Sequence, residues 1–205
     1  MTQLDVGRGS GRWTRGQALR AAVVGGAAVG GGALLGRGLD AGASAAAPSV
    51  ARDQEIMGFL LQLEQVQEAL YRAAIKAGRI DGELREYVRA VAPQETEHVA
   101  FLAKGAAGKA GKPPPSDFSD VIHTPESFRR AAIDLEELTL AAYIGQGANL
   151  TRDAVGGLAR LVSVEARQAA WLRDIAGEMP APRVADPARS PDEVLTALRD
   201  RSYIL

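Results

Sequence analysis

Glu95-Thr96-Glu97-His98-Val99-Ala100-Phe101-Leu102 sets a carboxylate and an imidazole three residues apart in a helical pattern. Residues i and i+3 share a helix face, so Glu95 and His98 lie on one stripe with Val88, Val91 and Leu102. That stripe is the one a helical domain buries. The spacing returns at Val164-Glu165-Ala166-Arg167-Gln168, where Glu165 and Gln168 stand three apart. Two more glutamates fall on apolar stripes: Glu64 in LEQVQEALY (63–71) and Glu136 in LEELTLAAYIG (135–145). An unpaired buried charge costs several kcal/mol. Four inward carboxylates must therefore share protons, meet arginine partners or bind a cation.

Working outward, the periodicity predicts four long helices. The first runs from about Asp53 to Ala77, with Asp53 as its cap and Gly78 as its stop. Its inward positions are Met57, Leu60, Glu64, Gln67 and Tyr71. The second spans Gly82 to Lys104, and Pro93 inside it predicts a kink or a break one turn before Glu95. Gly105 to Phe118 is rich in Gly, Lys and Pro and reads as a long connection. The third helix follows Thr124-Pro125-Glu126, a cap with proline at the first position, and runs to about Gln146. Ile133, Glu136, Leu140 and Tyr143 line its face. The fourth extends from about Thr151 to Ala176, with Leu158, Leu161, Glu165, Gln168 and Leu172 on one side and Gly156-Gly157 weakening its first half.

Tight turns join the first helix to the second and the third to the fourth. The expected fold is thus all-α: a four-helix bundle of two hairpins joined by a long crossover, with a short outer helix from Ser190 to Arg201. Glu64 and Glu95 are 31 residues apart, and Glu136 and Glu165 are 29 apart. Matched intervals bring the carboxylates of each hairpin to a similar height.

Composition narrows the chemistry. The chain has 205 residues, 5% aromatic, with no cysteine and a formal charge of −1. Disulfides, thiolate nucleophiles and cysteine-ligated metal are excluded, so any metal is held by oxygen and imidazole. Nothing suggests a nucleic-acid surface. Residues 1–47 read as an export leader: four arginines before Ala21, a Gly/Ala/Val/Leu run from Ala21 to Leu35, then small residues to Ala47. Thr14-Arg15-Gly16-Gln17 is similar to a twin-arginine signal, except that Gly16 stands where the second arginine belongs, which leaves twin-arginine and general secretion both open. A membrane anchor and an unstructured tail are the competing readings. Residues 48–180 form the bundle and 181–205 an extension. The leader carries +3 and the remainder −4, a soluble, mildly acidic body without a membrane span.

LEQVQEALY, ETEHVAFL (95–102), LEELTLAAYIG and VEARQAAWLR (164–173) together resemble the ferritin-like superfamily across roughly residues 52–177. The likeness is closest to exported ferritin-like domain proteins of the desiccation-related type. It implies a dimetal centre of two iron ions, or manganese, with Glu64 and Glu136 as single ligands and Glu95 and Glu165 as bridges. His98 is the imidazole ligand beside Glu95. Gln168 stands where a second histidine belongs, which implies a firm metal position near His98 and a weak one near Gln168. Four carboxylates balance two divalent ions, and bridging glutamates hold such ions about 3.5–4 Å apart, close enough to act together on dioxygen or peroxide. Ferroxidase, peroxidase and a metal-free structural or stress-protective role all remain open. No catalytic residue is singled out, and a monomer or small oligomer is the expected assembly.

The neighbours have plainer readings. Glu68, Glu97 and Glu137 turn to the flank as solvated or ion-paired groups. Arg167 is a candidate partner for Glu165 if the cluster is a metal-free polar network. Tyr71 and Tyr143 sit seven residues beyond Glu64 and Glu136, placed either to pack or to support a metal ligand. His123 reads as exposed, and Trp171 as packed at the bundle's end.

Overall fold

Ser49, not Asp53, opens the first helix. In the computed structural model, which describes residues 47–204, the Ser49 hydroxyl accepts from the Arg52 amide at 3.2 Å and starts α1 (Val50–Ala77). Asp53 is instead a buried tie across the bundle. Its carboxylate accepts from the Thr151 backbone N–H at 2.9 Å and from the Thr151 hydroxyl at 2.5 Å. Gly78, in the left-handed conformation, ends α1 and donates to the Ala74 carbonyl.

α2 (Gly82–Ala106) runs through Pro93 without a break, the second of the two outcomes the proline allowed being set aside. Proline removes one N–H, so the Arg89 carbonyl loses its helical donor. Pro93 and Arg89 both lie on the exposed face, where a freed carbonyl costs least, and the helix continues. α3 (Pro125–Gly147) starts on a reciprocal cap between Thr124 and Ser127. α4 (Arg152–Ile175) is capped by Thr151 and is not interrupted at Gly156-Gly157. The bare face of Gly157 lets α4 approach α2: a Cβ there would stand 3.2 Å from the Phe101 ring. α5 (Pro191–Asp200) begins with a Ser190–Glu193 capping box.

The helices pair as expected, α1 with α2 and α3 with α4, and the two hairpins face each other through α1 with α3 and α2 with α4. The crossover from 107 to 124 travels the length of α1. Ala110 passes over Gly58, the Lys112 carbonyl accepts from Gln62 Nε2 at 3.4 Å, and His123 meets Arg79 at 3.3 Å just beyond the end of α1. α3 therefore starts at the far end, and α1 and α4 begin together at the end tied by Asp53 and Thr151.

Between the helices lie Ile56, Leu60, Leu70, Leu102, Phe128, Leu135 and Leu172, all fully buried. Each contributes about 1.5–3 kcal/mol by leaving water. α5 packs outside the bundle on α3, where Arg201 pairs with Asp134. Among the described residues there is no strand, and no helix is long and apolar enough to cross a membrane. Residues 1–46, and with them all but the last residue of the expected leader, lie outside the described residues.

Candidate metal centre

Each long helix places a glutamate and, three residues on, a second polar side chain inside the bundle. The pairs are Glu64 with Gln67, Glu95 with His98, Glu136 with Thr139, and Glu165 with Gln168. All eight are buried, none more than 7% exposed. The i, i+3 spacing puts both members of a pair on the inner stripe, and the shared heights of the hairpins bring the four pairs to one level.

Four of these residues converge on a single point. Ligand atoms of Glu64, Glu95, His98 and Glu165 all lie within 4.8 Å of one another. His98 Nδ1 is 2.9 Å from Glu165 Oε1, 3.4 Å from Glu64 Oε2 and 3.8 Å from Glu95 Oε2. None of these contacts has hydrogen-bond geometry. Those same four atoms are buried and have no hydrogen-bond partner. Buried polar atoms are almost always satisfied, and four unsatisfied ligand atoms this close together could hold a metal ion.

The outward oxygens are held by donors. Tyr143 on α3 donates to Glu64 Oε1 on α1, and Tyr71 on α1 donates to Glu136 Oε1 on α3. Tyr87 donates to the same Glu136 oxygen at 3.2 Å and lies 3.1 Å from the Tyr71 hydroxyl. Gln67 Nε2 donates to Glu136 Oε2 at 2.9 Å and to Glu165 Oε2 at 3.3 Å. Gln168 Nε2 donates to Glu95 Oε1 at 2.9 Å and to the exposed Gln94 at 3.2 Å.

Crowding shows in the proton affinities. Burial, then repulsion from Glu165, pushes the Glu95 and Glu136 carboxyls well above the usual carboxylate range. Burial and Glu64 push Glu165 up to about 7, against the pull of His98 and Gln67. Burial alone would lower His98, but the Glu165 and Glu64 carboxylates outweigh it and hold the ring at about 10. Burial and the nearby carboxylates raise Tyr71, Tyr87 and Tyr143, so all three keep the proton they donate. A divalent cation among Glu64, Glu95, His98 and Glu165 would offset this repulsion. Three carboxylates and one imidazole suit a hard or borderline metal, so the residues fit one ion at that point.

A sequence model of the ferritin-like domain family matches residues 52–178, most of the chain and all four long helices. The chain belongs to the ferritin-like domain family. No curated protein matches it.

Within this ferritin-like bundle, Glu64, Glu95, His98 and Glu165 meet as a group, and Glu136 adjoins them through Gln67. Gln168 reaches the group by donating to Glu95, with its own carbonyl oxygen unpartnered. The flanking glutamates behave as expected: Glu68 pairs with Arg72 at 2.8 Å, Glu137 pairs with Arg173, and Glu97 is exposed. Arg167 is exposed and pairs with no carboxylate among the described residues. Trp171 stacks edge-on against Tyr87 at 5.1 Å with part of its ring in solvent.

Sequence reasoning missed Tyr87, Thr139 and Gln94, and gave Gln67 an inward position without a role. A signal was present for two of them. Thr139 stands three residues after Glu136, and Tyr87 stands eight before Glu95 on the same stripe.

Proposed function

We propose that this ferritin-like protein binds a redox-active divalent metal, iron first and manganese second, through Glu64, Glu95, His98 and Glu165. It works as an exported protein of the desiccation-related type and turns the metal toward ferrous-iron oxidation or peroxide consumption. The observation that carries this reading is the convergence of four buried, unpartnered ligand atoms. Iron or manganese bound there supplies one-electron redox chemistry toward dioxygen or peroxide. The chain's own work is to hold the ligands in place: Tyr143 fixes the outer oxygen of Glu64, Gln67 that of Glu165, and Gln168 that of Glu95. His98 and Gln168 are the site residues nearest solvent, and Gln168 donates to the exposed Gln94 at 3.2 Å. The basic, apolar and small-residue order of 1–47 supports export.

One observation favours a second reading, a metal-free structural or stress-protective bundle. The amides of Gln67 and Gln168 already supply donors to Glu136, Glu165 and Glu95. The test is metal content of the full chain after anaerobic Fe(II) loading and removal of free ion, with Glu95→Ala and Glu97→Ala beside it. The metal-centre reading expects bound iron that Glu95→Ala loses and Glu97→Ala keeps. Equal loss in both variants would refute the assignment of faces, and no retained metal would favour the metal-free bundle. Oxygen uptake against peroxide consumption by the loaded chain then separates the two activities.

A further inference from the structure

The bundle repeats itself, and apart from Gln168 in the place that corresponds to His98 the repeat is broken around Glu136. Glu64 on α1 corresponds to Glu136 on α3, and Glu95 on α2 to Glu165 on α4. The tyrosines obey the relation: Tyr71 and Tyr143, each seven residues past its own helix's glutamate, donate to the glutamate of the other hairpin. Two further donors do not obey it. Gln67, three residues after Glu64, corresponds to Thr139, which is buried and has an unpartnered hydroxyl. Tyr87, eight residues before Glu95, corresponds to Gly157, which has no side chain.

Both extra donors act on Glu136. Its Oε1 accepts from Tyr71 and Tyr87, and its Oε2 accepts from Gln67. Glu64 accepts from Tyr143 alone and keeps Oε2 free. The amide nitrogen of Gln67 also sits 3.3 Å from Glu165 Oε2, so one NH₂ group spans the carboxylates of both helices of the other hairpin. A cation shared by Glu136 and Glu165 would need the oxygens that this amide holds. On the other side Gln168 turns its amide donors, not its carbonyl, toward Glu95. The residues around Glu136 therefore do not fit a second metal ion, although those around His98 fit a first.

We propose that Gln67 is a built-in occupant of the second cation position, so that this chain holds one ion where its resemblance implies two. The amide supplies Glu136 and Glu165 with the donors a second ion would otherwise replace, and Tyr87 completes the set. The consequence is a single-ion centre with Glu136 as a hydrogen-bonded wall rather than a ligand. This rests on the metal-binding reading above but is separable from it, because it concerns the number of ions and not their presence.

The experiment is a Mn(II) titration of the full chain, followed by equilibrium dialysis and by electron paramagnetic resonance, with Gln67→Ala and Gln67→Glu beside the unaltered protein. One Mn(II) per chain with the spectrum of an isolated ion is expected for the unaltered protein. Both variants should take up two ions, with the spectrum of a coupled pair. The second affinity should tighten by roughly 10–100-fold, the range over which residues around a metal's ligands act. Gln67→Glu keeps the size of the side chain, so a packing failure in Gln67→Ala leaves the test intact. Two ions in the unaltered protein would overturn the proposal while leaving metal binding standing. Loss of one of two ions in Gln67→Ala would show that Gln67 is a ligand, and a single ion in all three proteins would show that it blocks nothing. No bound Mn(II) at all would refute both this inference and the metal reading.

Discussion

Replacing Asp53 by alanine removes the tie that sets the heights of α1 and α4. Its carboxylate takes two hydrogen bonds from Thr151, at 2.9 Å from the backbone N–H and 2.5 Å from the hydroxyl. A hydrogen bond to a charged group contributes about 1.5–3 kcal/mol, but Thr151 is half-buried and water recovers part of the loss. The net cost of Asp53→Ala is then about 2–3 kcal/mol. For a domain of this size each kcal/mol moves the unfolding midpoint by about 2–4 °C, so the midpoint should fall by about 4–12 °C. Asp53→Asn keeps one acceptor oxygen and should lose about 1 kcal/mol. The assay is thermal melting by circular dichroism of the full chain, with Thr151→Ala and the double variant completing a cycle. Asp53→Ala within about 0.5 kcal/mol of the unaltered protein, or strictly additive changes, would refute the reasoning. The same tie bears on the site, because Glu64 follows Asp53 by 11 residues and Glu165 follows Thr151 by 14.

Chelator-treated protein should lose stability as pH rises from 5 to 8. Glu165 stands at about 7 against an ordinary value of 4.5, so its neutral form is favoured in the fold and stability is lost as pH rises from about 4.5 to about 7. That shift amounts to about 3 kcal/mol, or roughly 6–12 °C in the midpoint; His98, held at about 10, acts in the same direction, and a midpoint that rises over this window would contradict the argument. Tyr143→Phe strips Glu64 Oε1 of its donor and should weaken Mn(II) binding roughly tenfold, read by dialysis, whereas the exposed Glu97→Gln should leave it unchanged. Gly145→Ala should destabilise by about 1–3 kcal/mol although alanine favours helices, because its Cβ would collide with the Arg189 carbonyl. Limited proteolysis should then cut the segment after residue 180 sooner, and unchanged cleavage would refute the contact.

The inward stripe was legible because its period is that of a helix and because glutamates on it are conspicuous. Helix ends were legible where proline and capping residues mark them, as at Thr124-Pro125 and Ser190-Pro191. Asp53 misled because serine and aspartate are both good caps, and only the position of Thr151, 98 residues away, decides which one is free to act. Pro93 does not break its helix, because the cost of proline depends on the surroundings of the freed carbonyl, and Pro93 and Arg89 both lie on the exposed face. Within the site, the identities of the inner residues followed from spacing, but their partners did not. Tyr71 reaches Glu136 across 65 residues of sequence and Gln67 reaches Glu165 across 98, and no local pattern carries that information.

Partners matter more than ligands in deciding what such a bundle holds. A buried carboxylate is stabilised either by hydrogen-bond donors or by a cation, and the two compete for the same lone pairs. Counting glutamates gives the two hairpins equal claims on metal, since each contributes two. Counting donors separates them: Glu136 is met by Tyr71, Tyr87 and Gln67, while Glu64 is met by Tyr143 alone. The carboxylate oxygens left without donors belong to Glu64, Glu95 and Glu165, and His98 faces all three. Capacity for metal therefore follows the unpartnered oxygens, and a single side-chain exchange at position 67 should move it.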